Sequence, residues 1–316
     1  MSGCLRRDYP TTTSDDMADS RPFRSAPPAG AKVSDLIRFG AQEFESAGLC
    51  YGHGTDNPVD DAAALVFHVL DLDHDRAEQA YGLVPDAADV RRVLDTFAER
   101  IVRRVPAAYL MGRMWFAGLE FEVDDRVIVP RSPFAELIHA HFRPWIDPER
   151  VRSILDVGTG SGCIAIACAL AFPSASVDAV DVSSRALEVA RRNVARHGVG
   201  DRLRLLQGDV FEPVGGRRYD LIVSNPPYVS DDEMSDLPQE YRHEPDLALR
   251  AGHDGLDVVR RILAGARAHL EPSGVLFVEV GDSDERLERA FPALPLTWLE
   301  FEHGGGGVFM VRGSEL

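Results

Sequence analysis

The sequence has few cysteines and no long apolar run, and both shortages exclude whole classes of protein. Its four cysteines, Cys4, Cys50, Cys163 and Cys168, include no Cys-x-x-Cys pair, so neither a disulfide scaffold nor a metal site is expected. No continuous apolar stretch approaches the roughly 20 residues of a membrane-spanning helix. We therefore expect a cytoplasmic protein with reduced thiols and no membrane partner.

Positive charge is also scarce. The chain has 34 Lys and Arg residues against 51 Asp and Glu, which gives a formal charge of −17. Such a chain repels phosphate backbones, so nucleic-acid binding is not expected, and it attracts a basic protein instead. From Asp220 to Leu316, 19 acidic residues face 8 arginines, so a basic partner is expected to dock there. The excess could equally serve only solubility.

The length of 316 residues suits one large domain and a smaller one. Residues 1–30 are rich in Ser, Thr, Pro and Asp, lack the apolar segment of a secretory signal, and are interpreted as a disordered tail. Residues 31–105 carry apolar residues at helical spacing, with helix caps predicted at Asn57 and Asp86. This pattern predicts a small helical domain.

Residues 106–150 are predicted to form a β-hairpin and a linker helix. Apolar residues alternate between Met114 and Val129, and Pro133 then opens a helix. Residues 151–316 alternate strands with helices, which predicts an α/β fold with a mostly parallel sheet and an antiparallel C-terminal hairpin. The predicted strands lie at 153–157, 176–182, 203–207, 219–224, 274–280, 296–301 and 308–312.

The first chemical signal is a glycine loop between a predicted strand and helix. It runs Asp156-Val157-Gly158-Thr159-Gly160-Ser161-Gly162. A nicotinamide-binding loop would need glycine where Cys163 stands. An acid before the glycines instead suits the cationic amino group of S-adenosylmethionine, with loop and helix amides available to the ligand. A purely structural glycine turn is the alternative.

Two acids at later strand ends extend this cofactor site. Asp181 ends the second strand, 19 residues after Gly162, where a carboxylate can accept both hydroxyls of a ribose. It could equally cap the next helix. Asp209 follows the third strand, where it could face the adenine amino group. The assignment of Asp209 depends on its position alone.

The sharpest signal is Asn225-Pro226-Pro227-Tyr228, directly after the fourth strand. Ligands of open α/β sheets bind at the carboxyl ends of strands, so this turn is expected beside the glycine loop. Two prolines stiffen it, and the side-chain oxygen of Asn225 with the Pro226 carbonyl can accept both hydrogens of a planar NH₂ group. Tyr228 offers a face for packing. A rigid turn with an Asn cap is the structural alternative.

Together these motifs resemble the class I S-adenosylmethionine-dependent methyltransferases that alkylate exocyclic nitrogens. The resemblance narrows to protein N5-glutamine methyltransferases of the PrmB type, which modify the third large-subunit ribosomal protein. It implies the Rossmann-like class I fold for 151–316, S-adenosylmethionine as cofactor, substrate recognition by the helical domain, and a basic ribosomal-protein partner. Further segments that carry it are 108–110, 115–121, 127–133, 240–245 and 297–301.

Three rival functions stay open. The sister type that acts on peptide release factors resembles Pro-Arg-Pro-x-Thr-Glu where this chain has Pro130-Arg131-Ser132-Pro133-Phe134-Ala135-Glu136, which favours the ribosomal-protein type. A DNA or RNA adenine N6-methyltransferase could use the same turn, but it needs a phosphate-binding surface. The third is a non-catalytic S-adenosylmethionine-binding ribosome-assembly module. Candidates for substrate contact, or equally for loop ion pairs, are Arg131, Glu136, Tyr241, Arg242, His243 and Glu244.

Overall fold

The computed structural model describes residues 22–302 and 304–316, which belong to two units. The helical unit extends to Gly112 and includes Pro238–His243, whereas the sheet unit consists of Arg113–Leu237 and Glu244–Leu316. The helical unit therefore ends seven residues later than the sequence predicted, and it gains a short segment that follows the predicted Asn-Pro-Pro-Tyr turn. No helix in the described ranges is long and apolar enough to cross a membrane.

The helical unit is built from amphipathic helices with the caps that the sequence predicted. Its helices are α1 (Val33–Ser46), α2 (Pro58–Val69), α3 (Ala77–Ala80), α4 (Ala87–Arg103) and α5 (Ala107–Met111). The Asn57 side chain accepts the first free amides of α2, and that of Asp86 does the same for α4. These bonds satisfy donors that the helices leave unpaired, so each helix begins where its cap stands.

Of the predicted tail, residues 22–30 belong to the described part of the chain. Residues 1–21 lie outside the described residues. Further along, the Phe23 ring packs edge-on against Phe39 of α1 with 5.4 Å between ring centroids. Ser25 Oγ and the backbone N–H of Arg24 both donate to the buried Glu43 carboxylate. Residues 23–25 therefore contact α1 through the Phe39 ring and the Glu43 carboxylate.

A buried ion pair links the helices of this unit. Arg100 Nε of α4 donates to Asp61 Oδ2 of α2 at 2.8 Å, and both side chains are almost fully buried. Thr55 Oγ1 donates to the other Asp61 oxygen at 2.7 Å. Glu240 lies 3.7 Å from Arg100 and accepts the backbone N–H of Cys50 at 3.0 Å. The segment Pro238–His243 is thus held in the helical unit by buried charges.

The sheet unit contains the predicted alternation of strands and helices. Its strands are β1 (Arg113–Phe116), β2 (Leu119–Glu122), β3 (Ser153–Val157), β4 (Ser176–Asp181), β5 (Leu203–Gln207), β6 (Tyr219–Ser224), β7 (Leu270–Glu279), β8 (Thr297–Trp298) and β9 (Val308–Arg312). Its helices are α6 (Phe134–His139), α7 (Cys163–Ala171), α8 (Ser184–His197), α9 (Asp231–Asp236), α10 (Asp246–Leu249), α11 (Asp257–His269) and α12 (Asp284–Ala290).

The main sheet has the predicted topology. Its strand order is β5-β4-β3-β6-β7-β9-β8, with β3 to β7 parallel and β9 antiparallel to both neighbours. Successive residues of β6 point into the hydrophobic cores on opposite faces of the sheet. Leu221 and Val223 pack on the face covered by α6, α7 and α8, whereas Ile222 packs on the face covered by α11 and α12. Because the strands are parallel, the carboxyl ends of β3, β4, β6 and β7 meet at one edge.

Two strand predictions were too long. The hairpin comprises only β1 and β2, joined at Ala117 and Gly118 with positive φ, so Val127 and Val129 lie in a loop. Both valines are buried, and burial of alternate residues imitates the strand period. The strand predicted at 296–301 is reduced to the two residues of β8.

The ion pair of the helical unit predicts a large effect on stability. Asp61→Ala is expected to lower the local free energy of unfolding of α4 by about 3–5 kcal/mol, because it leaves Arg100 buried without its closest carboxylate. Asp89→Ala is the matched control, since Asp89 pairs with Arg92 on the exposed face of the same helix and should cost about 1 kcal/mol or less. Hydrogen exchange of the α4 amides measures both, and equal effects would contradict this assignment.

Candidate active site

A cavity of about 300 Å³ lies at the carboxyl edge of the sheet, within the sheet unit. Most of the predicted site residues line it: Gly158, Gly160, Asp181, Asp209, Asn225, Pro226 and Pro227. The loop at Arg126–Ile128 and the segment from Pro245 to Gly252 supply further lining residues. Among the described residues, no group of His, Cys, Asp or Glu could hold a metal ion.

The glycine loop has positive φ angles that residues with side chains rarely adopt. Gly158 has φ of +78° and a Cβ there would lie 3.8 Å from the carbonyl oxygen of Asn225, so the loop and the turn after β6 pass close together. Gly162 caps α7 with φ of +82°, and a Cβ would lie 3.3 Å from both Ala190 and Ile166. Glycine at these positions lets the backbone turn directly from β3 into α7.

Asp156 lies beneath this loop rather than on the cavity wall. Its Oδ2 accepts Thr159 Oγ1 at 2.7 Å and the backbone N–H of Ala165 at 3.2 Å. Its Oδ1 is buried and has no hydrogen-bond partner in the described part of the chain. Burial raises the pKa of this carboxyl to about 7. Ser161 is also buried, and its carbonyl accepts from Asn193 Nδ2 at 2.9 Å.

Asp181 connects the ends of β3 and β4. Its Oδ2 accepts the backbone N–H of Gly160 at 2.8 Å, and its Oδ1 accepts that of Ser183 at 2.8 Å. Burial raises the pKa of this carboxyl. Each oxygen has a second lone pair, so the carboxylate can still accept hydroxyl groups from a ligand in the cavity.

Asp209 is more exposed than Asp181 and has a cationic partner. Its Oδ2 pairs with the guanidinium of Arg261 from α11, which also lines the cavity. Sequence reasoning could not identify this pair, because the two residues lie 52 positions apart. Asp209 is therefore placed at the cavity as predicted, with only one of its oxygens free of the arginine.

The turn after β6 leaves acceptors unused. Asn225 is half-buried and Pro226 is buried. Across residues 22–302 and 304–316, no hydrogen bond involves the Asn225 side chain or the Pro226 carbonyl. Two oxygens beside one another at the cavity are thus available to the hydrogens of a planar NH₂ group.

Tyr228 points away from the lining residues toward the end of β7. Its hydroxyl donates to Glu279 Oε1 at 3.2 Å, and Ser132 Oγ donates to Glu279 Oε2 at 2.5 Å. Burial raises the pKa of the Glu279 carboxyl to about 7. The sequence reading missed Glu279, although it stands at a strand end like Asp156 and Asp181 and could have been found by the same rule.

The candidates for substrate contact divide between the two units. In the sheet unit, Arg131 forms a two-pronged ion pair with Glu244, at 2.5 and 2.6 Å, and Glu244 also accepts the backbone N–H of Val129. Glu136 accepts the backbone N–H of Glu302. The remaining candidates belong to the helical unit: Tyr241, Arg242 and His243. Of these, His243 hydrogen-bonds the Arg103 carbonyl through Nε2.

Known proteins resemble this chain at several levels. Residues 140–241 match the family model of the methyltransferase small domain. A solved methyltransferase from Pyrococcus furiosus has a TM-score of 0.45 at 22% identity, and the match covers 62% of this chain and 89% of that one. The ribosomal protein uL3 glutamine methyltransferase of Xanthomonas campestris pv. campestris is 50% identical over 285 residues, which is 90% of this chain and 92% of the relative. The protein of that name from Bordetella pertussis is 49% identical over 90% of this chain and 96% of its own length. The chain therefore belongs to the family of ribosomal protein uL3 glutamine methyltransferases.

Proposed function

We infer that this chain transfers a methyl group from S-adenosylmethionine to the side-chain amide nitrogen, N5, of a glutamine in ribosomal protein uL3. The observation that carries this inference is that the Asn225-Pro226-Pro227 turn lines the same cavity as Asp181 and the glycine loop. A site for a planar amide therefore adjoins a site for the cofactor. The family supplies the name of the protein substrate.

The residues around the cavity suit the cofactor in charge and in shape. Asp156 does not line the cavity, but one of its oxygens has no hydrogen-bond partner among the described residues, and it is proposed as the acceptor for the cationic amino group. Asp181 is proposed to accept the ribose hydroxyls, and Asp209 the adenine amino group, as acids at these strand ends do in doubly wound folds. Gly158 and Gly160 leave the backbone open to a ligand. When bound, S-adenosylmethionine supplies an electrophilic methyl group on a sulfonium centre.

The turn overcomes the weak reactivity of an amide nitrogen. The nitrogen lone pair is delocalised into the carbonyl, and no side chain deprotonates an amide at neutral pH. The Asn225 side-chain oxygen and the Pro226 carbonyl are proposed to accept the two N–H groups, which orients the nitrogen and stabilises the positive charge that develops on it. Orientation alone is worth up to about 7–11 kcal/mol in well-aligned systems. The proton is lost after the methyl group has transferred.

We propose that the helical unit recognises the protein substrate and that the reaction takes place in the cytoplasm. A net charge of −17 supports a basic substrate and disfavours direct nucleic-acid binding. The segment Pro238–His243, which follows the catalytic turn in sequence, belongs to the helical unit. Its residues Tyr241 and Arg242 are therefore proposed contacts for the substrate.

The cofactor assignment predicts the effect of removing one carboxylate. Asp181→Ala should raise the Kd of S-adenosylmethionine about 10- to 100-fold, because it removes the ribose acceptor and releases the glycine loop. Asp220→Ala is the matched control, since Asp220 also accepts two backbone amides, from Arg152 and Ser153, but at the opposite edge of the sheet. Calorimetric titration measures both, and equal losses of affinity would argue against the assignment.

The amide-binding assignment predicts a separate loss. Asn225→Ala should lower kcat about 10²- to 10³-fold, as the loss of one acceptor of developing charge does elsewhere. The Kd of S-adenosylmethionine should stay unchanged and serves as the internal control. A parallel loss of cofactor binding would contradict the role given to Asn225.

The identity of the substrate is tested by offering three candidates to the enzyme in parallel reactions. Purified unmethylated uL3, peptide release factor and DNA are incubated side by side with the enzyme and labelled S-adenosylmethionine, and mass spectrometry locates the label. We expect label on a glutamine of uL3. Label on the release factor would move the chain to the sister type, and label on adenine would overturn the substrate class. Cofactor binding without transfer to any of the three would favour an assembly module.

A further inference from the structure

We propose that Glu279 is a positioning residue for methyl transfer, which together with Ser132 holds Tyr228 and, through Tyr228, the Asn225-Pro226-Pro227 turn. This inference rests on the proposed function, because that turn is taken to bind the substrate amide. Glu279 does not line the cavity, so no direct contact with the cofactor or the substrate amide is assigned to it. Its role follows from what it holds.

The hydrogen bonds form a continuous chain from α6 to the turn. The backbone N–H of Phe134, at the start of α6, donates to Ser132 Oγ at 3.1 Å. With one lone pair engaged, Ser132 directs its hydroxyl hydrogen to Glu279 Oε2 at 2.5 Å. The other Glu279 oxygen accepts the Tyr228 hydroxyl. Three segments that are distant in sequence are thereby joined at one buried carboxyl group.

Tyr228 has little room to move once its hydroxyl is fixed. A Cβ on Gly281 would lie 2.6 Å from the Tyr228 ring, so the ring packs directly on that backbone. A Cβ on Gly255 would lie 2.4 Å from the Tyr228 carbonyl oxygen. The ring and the backbone are therefore both enclosed, and the phenol bond fixes the residue that ends the turn. Asn225 and Pro226 stand only three and two residues before it, respectively.

The surroundings of Glu279 favour a side chain that accepts hydrogen bonds and do not favour a negative charge. Arg131 acts on this carboxyl only from a distance, since its guanidinium is engaged by both oxygens of Glu244. Burial of a carboxylate without a contacting cation is costly, and the raised pKa reflects that cost. A glutamine can still accept the Tyr228 hydroxyl through its carbonyl oxygen, while its NH₂ group donates to the second lone pair of Ser132 Oγ once that hydroxyl has rotated away. Glutamine should therefore replace Glu279, whereas a charge or proton carrier could not be replaced in this way.

The test compares Glu279→Ala, Glu279→Gln and Tyr228→Phe in methyl transfer to uL3. Glu279→Ala and Tyr228→Phe should each lower kcat by about 10²-fold, the loss that follows a misplacement of about 1 Å. Glu279→Gln should stay within a few-fold of the wild type, and the Kd of S-adenosylmethionine should not change in any variant. Tyr219→Phe is the matched control, because the Tyr219 hydroxyl donates to the buried Asp178 carboxylate at the amino end of the sheet, and its kcat should be unchanged.

Several outcomes would overturn the proposal. Glutamine as inactive as alanine would show that Glu279 acts through its charge or its proton. Tyr228→Phe with wild-type kcat, or Tyr219→Phe with an equal loss, would show that the phenol bond does not position the turn. A crystal structure of Glu279→Ala should show the turn displaced or in several conformations, and an unmoved turn would refute the proposal. That structure decides the matter even if the wild type leaves uL3 unmethylated, a result that would contradict only the proposed function.

Discussion

The active edge of the sheet depends on carboxyl groups that are buried where parallel strands end. Asp156, Asp181 and Glu279 end or nearly end β3, β4 and β7, and burial raises the pKa of each. Each one accepts hydrogen bonds from a loop that follows or approaches its strand. The sheet supplies a rigid base, and these bonds carry its rigidity into the loops that line the cavity.

Carboxylates also accept hydrogen bonds at the opposite edge of the sheet, where the strands begin, but there they are matched by donors. Asp220 accepts two backbone amides and the Ser153 hydroxyl, and Asp178 accepts Tyr219 and two arginines. Those carboxylates are matched with donors or cations, and neither has a buried oxygen without a hydrogen-bond partner among the described residues. At the carboxyl edge, one oxygen of Asp156 and the acceptors of Asn225 and Pro226 have no partner among the described residues. An unsatisfied buried oxygen is costly, and a ligand bound at this edge would supply the donor that Asp156 lacks.

Structural features that depend on neighbouring residues in the sequence could be predicted, whereas contacts between residues far apart in the sequence could not. The glycine loop, the mostly parallel sheet and the placement of Asp181 and Asn225 follow from apolar runs with turn residues at their ends. The bonds of Glu279 join residues 51 and 147 positions apart, and the pair of Arg131 with Glu244 spans 113. The hydrophobic periodicity of a sequence does not indicate which distant residues will form such hydrogen bonds and ion pairs. Tyr228 was recognised as part of the turn, but the direction of its hydroxyl depends on a residue in another strand.

The turn itself does not choose between substrates, and this decides where specificity must lie. A glutamine amide and an adenine ring both present a planar NH₂ group, and two acceptor oxygens at Asn225 and Pro226 suit either one. Selection therefore has to come from groups outside the turn. An adenine in nucleic acid arrives with phosphates, which a chain of net charge −17 repels, whereas a basic protein is attracted. We propose that the acidic charge and the helical unit together restrict a turn of general use for planar NH₂ groups to one class of partner.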